Sequence, residues 1–164
     1  MRIIVAAVGQ SRQAAPEQAL ADEYRKRAAA LGTRLGFTKV DFAVVETSRA
    51  ANLAARMDDE AKKLSSRIPE GAHRIVLDEK GRSLSSEAFA RHVATLRDRG
   101  IRDLVFIVGG PDGLSPALRE NAAESLAFGP QTWPHQLVHV MLAEQIYRAF
   151  TILAGHPYHR GRAE

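Results

Sequence analysis

Five short apolar runs, each the length of one strand, alternate with segments whose apolar residues recur at helical spacing. Arg2 to Val8, Lys39 to Val45, Arg74 to Leu77, Asp103 to Val108 and Glu124 to Phe128 are the candidate strands. Between them, Pro16 to Leu31 carries Leu20, Tyr24, Ala28 and Leu31 on one helical stripe, and Ala50 to Arg67 carries Leu53, Met57, Ala61 and Leu64. Ser85 to Arg99 predicts a third helix, capped by Ser85 or Ser86, with Glu87 in the first turn where negative charge suits the helix dipole. Ser115-Pro116 opens a short fourth. The last is the most strongly patterned: Leu137, Val138, Met141, Leu142, Ile146, Ala149 and Phe150 form a stripe that ends near Gly155. Alternation of this kind specifies an α/β layer structure, a largely parallel sheet flanked by helices. With 164 residues and no repeat, linker or low-complexity segment, the expectation is a single domain over residues 1 to 164.

Composition narrows the chemistry. Cysteine is absent, which excludes disulfides, iron–sulfur clusters, cysteine zinc sites and thiolate nucleophiles. No stretch approaches the roughly 20 unbroken apolar residues of a membrane span, so no membrane partner and a cytoplasmic location are expected. A net charge of +4 favours a polyanionic partner such as nucleic acid.

In open α/β sheets the ligand crevice lies beyond the carboxyl ends of the strands, so the segments after the strands carry the functional reading. These are Leu77-Asp78-Glu79-Lys80-Gly81, Gly109-Gly110-Pro111-Asp112-Gly113-Leu114 and Gly129-Pro130-Gln131-Thr132-Trp133-Pro134. Gly109-Gly110 lets backbone amides approach a ligand closely, although the same residues also spell a tight Pro-Asp-Gly turn. Neither a G-x-G-x-x-G nor a G-x-x-x-x-G-K spacing occurs there, which removes the main support for a dinucleotide or P-loop site. Gly129 to Pro134, with two prolines and a tryptophan, reads either as a structural turn or as a rigid loop that sandwiches a flat base.

The last thirty residues hold four of the six histidines. His135 and His139 are four apart, the spacing of H-E-x-x-H zinc enzymes, but Gln136 stands where the catalytic glutamate would be. A metal-dependent hydrolase built on His135 and His139 would need His156 and His159 as further ligands; otherwise His135 closes the helix start and His139 lies on a polar or interfacial face. Glu144 and Arg148, spaced i, i+4, form either a surface ion pair or, with His156-Pro157-Tyr158-His159-Arg160, a grip on a phosphate and an aromatic base.

Taken together, Ile107 to Leu114, Trp133-Pro134-His135, Ala143 to Ala149 and His156 to Arg160 resemble the ribosomal RNA large subunit methyltransferase H family of the SPOUT superfamily, over essentially the whole chain. The resemblance implies a C-terminal trefoil knot, a homodimer with cofactor sites near the subunit interface, and S-adenosyl-L-methionine as cofactor. It also implies methylation of N3 of a pseudouridine in 23S ribosomal RNA of the large subunit or assembled ribosome. By motif position Leu77, Gly109, Gly110, Gly129, Pro130, Gln131, Thr132, Trp133 and Pro134 are the expected cofactor-binding residues, with no metal. Glu144, Arg148, Tyr158, His159 and Arg160 are the expected catalytic set: either arginine offsets charge on the deprotonated base, Glu144 or His159 takes the proton, and Tyr158 stacks on or hydrogen-bonds the base. A noncatalytic ribosome-binding assembly factor is the alternative that needs no cofactor pocket.

Overall fold

A computed structural model describes residues 1–9 and 15–159. Arg160 therefore lies outside the described residues. Five strands form one sheet: β1 (Arg2–Gly9), β2 (Lys39–Glu46), β3 (His73–Ser83), β4 (Asp103–Val108) and β5 (Glu124–Ala127), in the order β2-β1-β4-β3-β5. Every pairing is parallel. In β1 all residues from Ile3 to Gly9 are buried, as a central strand covered on both faces requires.

The helices divide between the faces. On one side α1 (Pro16–Gly32), α3 (Ser86–Asp98) and α5 (His135–Leu153) cover Ile3, Val5, Ile75, Leu104 and Phe106; on the other, α2 (Leu53–Ser65) and α4 (Pro116–Glu120) cover Ile4, Ala6, Val76, Val105 and Ile107. Adjacent residues of one strand thus feed opposite cores. At the centre of the first layer Phe37 and Phe150 stack with ring centroids 4.2 Å apart. Gly32 admits that stack, because a Cβ there would lie 2.7 Å from the Phe150 ring. Ser85, not Ser86, caps α3 by accepting from the Ala88 amide at 3.1 Å, and Asn52 caps α2, which starts at Leu53, the first residue of its apolar stripe and three residues after the expected bound at Ala50.

Three expectations are corrected. Leu77 to Gly81 is not a loop after β3 but part of the strand, which passes through a register shift between Leu77 and Arg82 and pairs again with β5. The stripe read on α1 is displaced: Ala21 and Ala28 face the core, whereas Leu20 is exposed. The start of α5 is not closed by His135, since its cap position is Pro134 and no side-chain cap bond forms.

Candidate active site

The carboxyl ends of β3, β4 and β5 open into a cleft of about 370 Å³, within the ~300–1,000 Å³ span of small-molecule sites. Leu77 at the β3 irregularity, Gly109 and Gly110 after β4, and Gly129, Gln131, Thr132 and Trp133 after β5 all line it. Pro130 and Pro134 are not among its wall residues. Asp78, from the segment read after β3, also lines it, as do Arg119 and Val138, which no motif marked.

The glycine segment is both a turn and a wall. Gly113, at φ 81°, donates its amide to the Gly110 carbonyl at 3.0 Å, closing the Pro-Asp-Gly turn. A Cβ on Gly109 would lie 2.9 Å from the Gly113 carbonyl carbon, and one on Gly110 would lie 2.8 Å from Val8, so neither position has room for a side chain. Helix α2 braces this turn from beneath. Arg56 binds Asp112 through Nε at 2.7 Å, and the buried Glu60 accepts from the Ser48 amide at 2.9 Å. The other Glu60 oxygen has no hydrogen-bond partner among the described residues and sits against Gly110. Opposite, Trp133 donates its indole N–H to the Phe128 carbonyl at 3.1 Å and Thr132 donates to Glu79 at 3.1 Å, which pins the β5 loop.

A second group gathers around the C-terminal half of α5. Glu144 accepts from Arg148 through Nε at 2.9 Å and through Nη2, from the Tyr158 hydroxyl at 3.0 Å and from Gln145 at 2.8 Å. His159 places Nδ1 3.4 Å from Arg148 Nη1 and Nε2 2.9 Å from Glu87. An arginine can only donate, so the geometry assigns the proton to Nε2 and leaves Nδ1 as acceptor. The Tyr158 ring packs 4.8 Å from that of Tyr147 and 5.0 Å under the Arg148 guanidinium. Burial, then Tyr24 and Glu144, raises the Tyr158 phenol above its usual range and keeps it a donor. The tail thus joins Glu144, Arg148, Tyr158 and His159 as the sequence suggested. Glu87 completes them; its first-turn position explained it without a partner, so nothing in the sequence signalled this role. None of the four lines the cleft. Glu144 instead lines a second, more apolar cleft of about 550 Å³ that shares Leu77, Leu126 and Phe128 with the first.

The model of a family described as "Predicted SPOUT methyltransferase" matches residues 1–159. The chain belongs to the SPOUT methyltransferase family. Among its relatives, the protein named ribosomal RNA large subunit methyltransferase H from Nitrobacter winogradskyi is 53% identical over 161 residues, covering 98% of this chain and 100% of the relative. Its namesake from Rhodopseudomonas palustris is 50% identical over 160 residues, covering 98% and 99%. That from a Bradyrhizobium species is 48% identical over 160 residues, covering 98% of each.

For a SPOUT methyltransferase the His135 and His139 pair has a structural reading, and the expected polar or interfacial setting of His139 is corrected. Its side chain is buried, its ring centroid lies 4.8 Å from that of Phe42, and its Nε2 has no partner among the described residues. Burial, with a smaller contribution from His135, pushes its pKa down to about 4. His135 is also lowered by burial, partly opposed by the charge of Glu60. The histidines a zinc site would need do not converge: His156 accepts from the Tyr158 amide at 3.2 Å while His159 is held between Glu87 and Arg148. No helix among the described residues is long and apolar enough to cross a membrane.

Proposed function

We propose that this chain is a cytoplasmic, homodimeric methyltransferase that uses S-adenosyl-L-methionine to methylate N3 of a pseudouridine in 23S ribosomal RNA. The observation that carries this reading is the convergence of the Leu77, Gly109 and Gly129 segments on one cleft, in a chain about half identical along its length to proteins named for that RNA. The cleft suits a nucleoside with an amino-acid tail: Leu77, Leu126 and Val138 offer apolar surface, the glycine turns offer backbone edges, and Asp78 with Arg119 offers charge. When bound, the cofactor supplies a methyl group already activated by its sulfonium.

The protein's own task is then to align the base and manage one proton. Loss of the N3 proton spreads negative charge onto the two flanking carbonyl oxygens, where Arg148 offsets it. Glu144 already accepts three side-chain donors, which occupy its carboxylate oxygens, so it orients Arg148 and Tyr158 rather than taking the proton. His159 is the better acceptor: its Nδ1 is only loosely engaged at 3.4 Å, and Glu87 on Nε2 steadies the imidazolium that results. Tyr158 provides a stacking face for the base.

Two features support the dimer. The tail cluster stands apart from the cleft of its own chain, and Leu20 and Leu137 are exposed apolar side chains. These fit a second copy whose tail completes each cleft.

The test is complementation. With the cofactor held well below the dissociation constant expected for Gly109→Ala, that chain and a chain truncated before His156 are each expected to be nearly inactive on ribosomes lacking the modification. Refolded together, they should regain pseudouridine N3 methylation, read by mass spectrometry. Activity in the truncated chain alone would overturn the role of the tail, and absence of rescue would overturn its action across the dimer.

A further inference from the structure

Two of the four acidic and arginine side chains on the cleft wall are already committed. Asp112 is held by Arg56, with Nε at 2.7 Å and Nη2 at 3.5 Å, and Glu79 accepts from Thr132. Asp78 and Arg119 differ. Asp78 uses Oδ1 to accept the Lys80 amide at 3.0 Å, while its Oδ2 lies 2.9 Å from Arg119 Nε. That contact is an ion pair without hydrogen-bond alignment, and the guanidinium of Arg119 donates to no other described residue. The two side chains also differ in freedom: Asp78 is 12% exposed and Arg119 48%. A largely buried anion on β3 thus faces a half-exposed cation on α4 at one end of the cleft, and the Nη donors of that cation bond no other described residue.

A pair in this state suits a zwitterion. A ligand carrying an ammonium and a carboxylate a few bonds apart gives each partner a replacement counter-charge, so opening the pair leaves no charge unpaired. Arg119 is half exposed, so solvent screens the pair in part, and exchanging its members onto ligand charges costs less than opening a fully buried pair. A guanidinium with free N–H groups matches a carboxylate in bidentate geometry.

We propose that Asp78 and Arg119 form the amino-acid clamp of the cleft, Arg119 taking the α-carboxylate and Asp78 the α-ammonium of the cofactor's methionine portion, in exchange for their mutual contact. This rests on the reading that the cleft takes S-adenosyl-L-methionine. Arg119 is then a specificity residue that distinguishes ligands with an amino-acid tail from the bare thionucleoside.

Calorimetry of the full-length chain and its variants, with S-adenosyl-L-methionine, S-adenosyl-L-homocysteine and 5′-methylthioadenosine as ligands, tests the clamp. The thionucleoside has the same adenosine but no amino acid. Arg119→Ala should weaken both tailed ligands by roughly tenfold to a hundredfold, the loss expected for a charge-assisted pair. It should leave 5′-methylthioadenosine within about twofold, and Arg119→Lys should fall between. Equal weakening of all three ligands, or no weakening of the tailed ones, would overturn the clamp while leaving the cofactor site standing. Failure of the unmodified protein to bind any of the three would overturn the cofactor reading and the clamp with it. Thermal unfolding confirms that the variants are folded, so a lost site is not mistaken for a lost fold.

Discussion

The N-terminal end of α5 leaves polar groups short of partners, whereas its C-terminal end saturates them. Near the first turns, His139 is buried against Phe42, and across the glycine turn lies Glu60; among the described residues, His139 Nε2 and one Glu60 carboxylate oxygen have no partner. Two turns further on, Glu144 accepts three side chains and His159 uses both ring nitrogens. A buried group without a partner carries a desolvation cost that a satisfied one does not. The cleft end therefore combines close backbone packing and a few bracing side-chain bonds with buried groups short of partners, whereas the tail end is a saturated side-chain network. Substitutions at the two ends should fail differently.

The largest expected difference is in acid. His139 has its pKa pushed down to about 4 by burial, against an ordinary value near ~6.5. Above that ordinary value both folded and unfolded chains hold it neutral and it contributes no pH dependence. As pH falls toward about 4 the unfolded chain takes up the proton first, so stability drops, by about 3 kcal/mol in all, until the folded chain is protonated too. Urea unfolding from pH 7 to pH 4 should show that slope in the native protein and a shallower one in His139→Leu. The same slope in both would remove the contrast between the ends.

A smaller effect is expected at the glycine turn. In Gly109→Ala the new methyl meets the Gly113 backbone, which cannot rotate away as a side chain can, at a cost of about 1–3 kcal/mol. Chemical denaturation should show that loss, and calorimetry a cofactor affinity reduced roughly tenfold. Unchanged affinity would mean that the turn is a fold element and not a ligand wall.

The smallest belongs to the tail. Tyr158→Phe removes the hydroxyl that bonds Glu144 but keeps the ring beside Tyr147, so about 1 kcal/mol of stability should go. Cofactor affinity should be unaffected. A tenfold loss of cofactor affinity would show that the two ends are one site within a single chain.

Legibility in the sequence followed the same division. β1 and β4 were plain because strands covered on both faces read as unbroken apolar runs. The continuation of β3 was not, since Asp78 to Ser83 is polar and a register shift interrupts its pairing. Leu20 was read as core because of its size and spacing, but small Ala21 and Ala28 let α1 sit close to α5 and leave Leu20 outside. The glycine segments were legible because only backbone can serve at so close an approach. Arg119 was not, for a surface arginine on a one-turn helix carries no local mark of the aspartate it faces.

By itself, the sequence determined the α/β class, the strands that form the sheet, the serine-capped starts of α3 and α4, and the two glycine loops that build the cleft. All of these depend on periodicity or on the conformational freedom of single residues, which are local properties. Only the tertiary structure decided that His139 is buried, that Glu87 meets His159, that Asp78 meets Arg119, and that the tail stands apart from the cleft of its own chain. Those facts join residues far apart along the chain, and such pairings are set by how the layers pack.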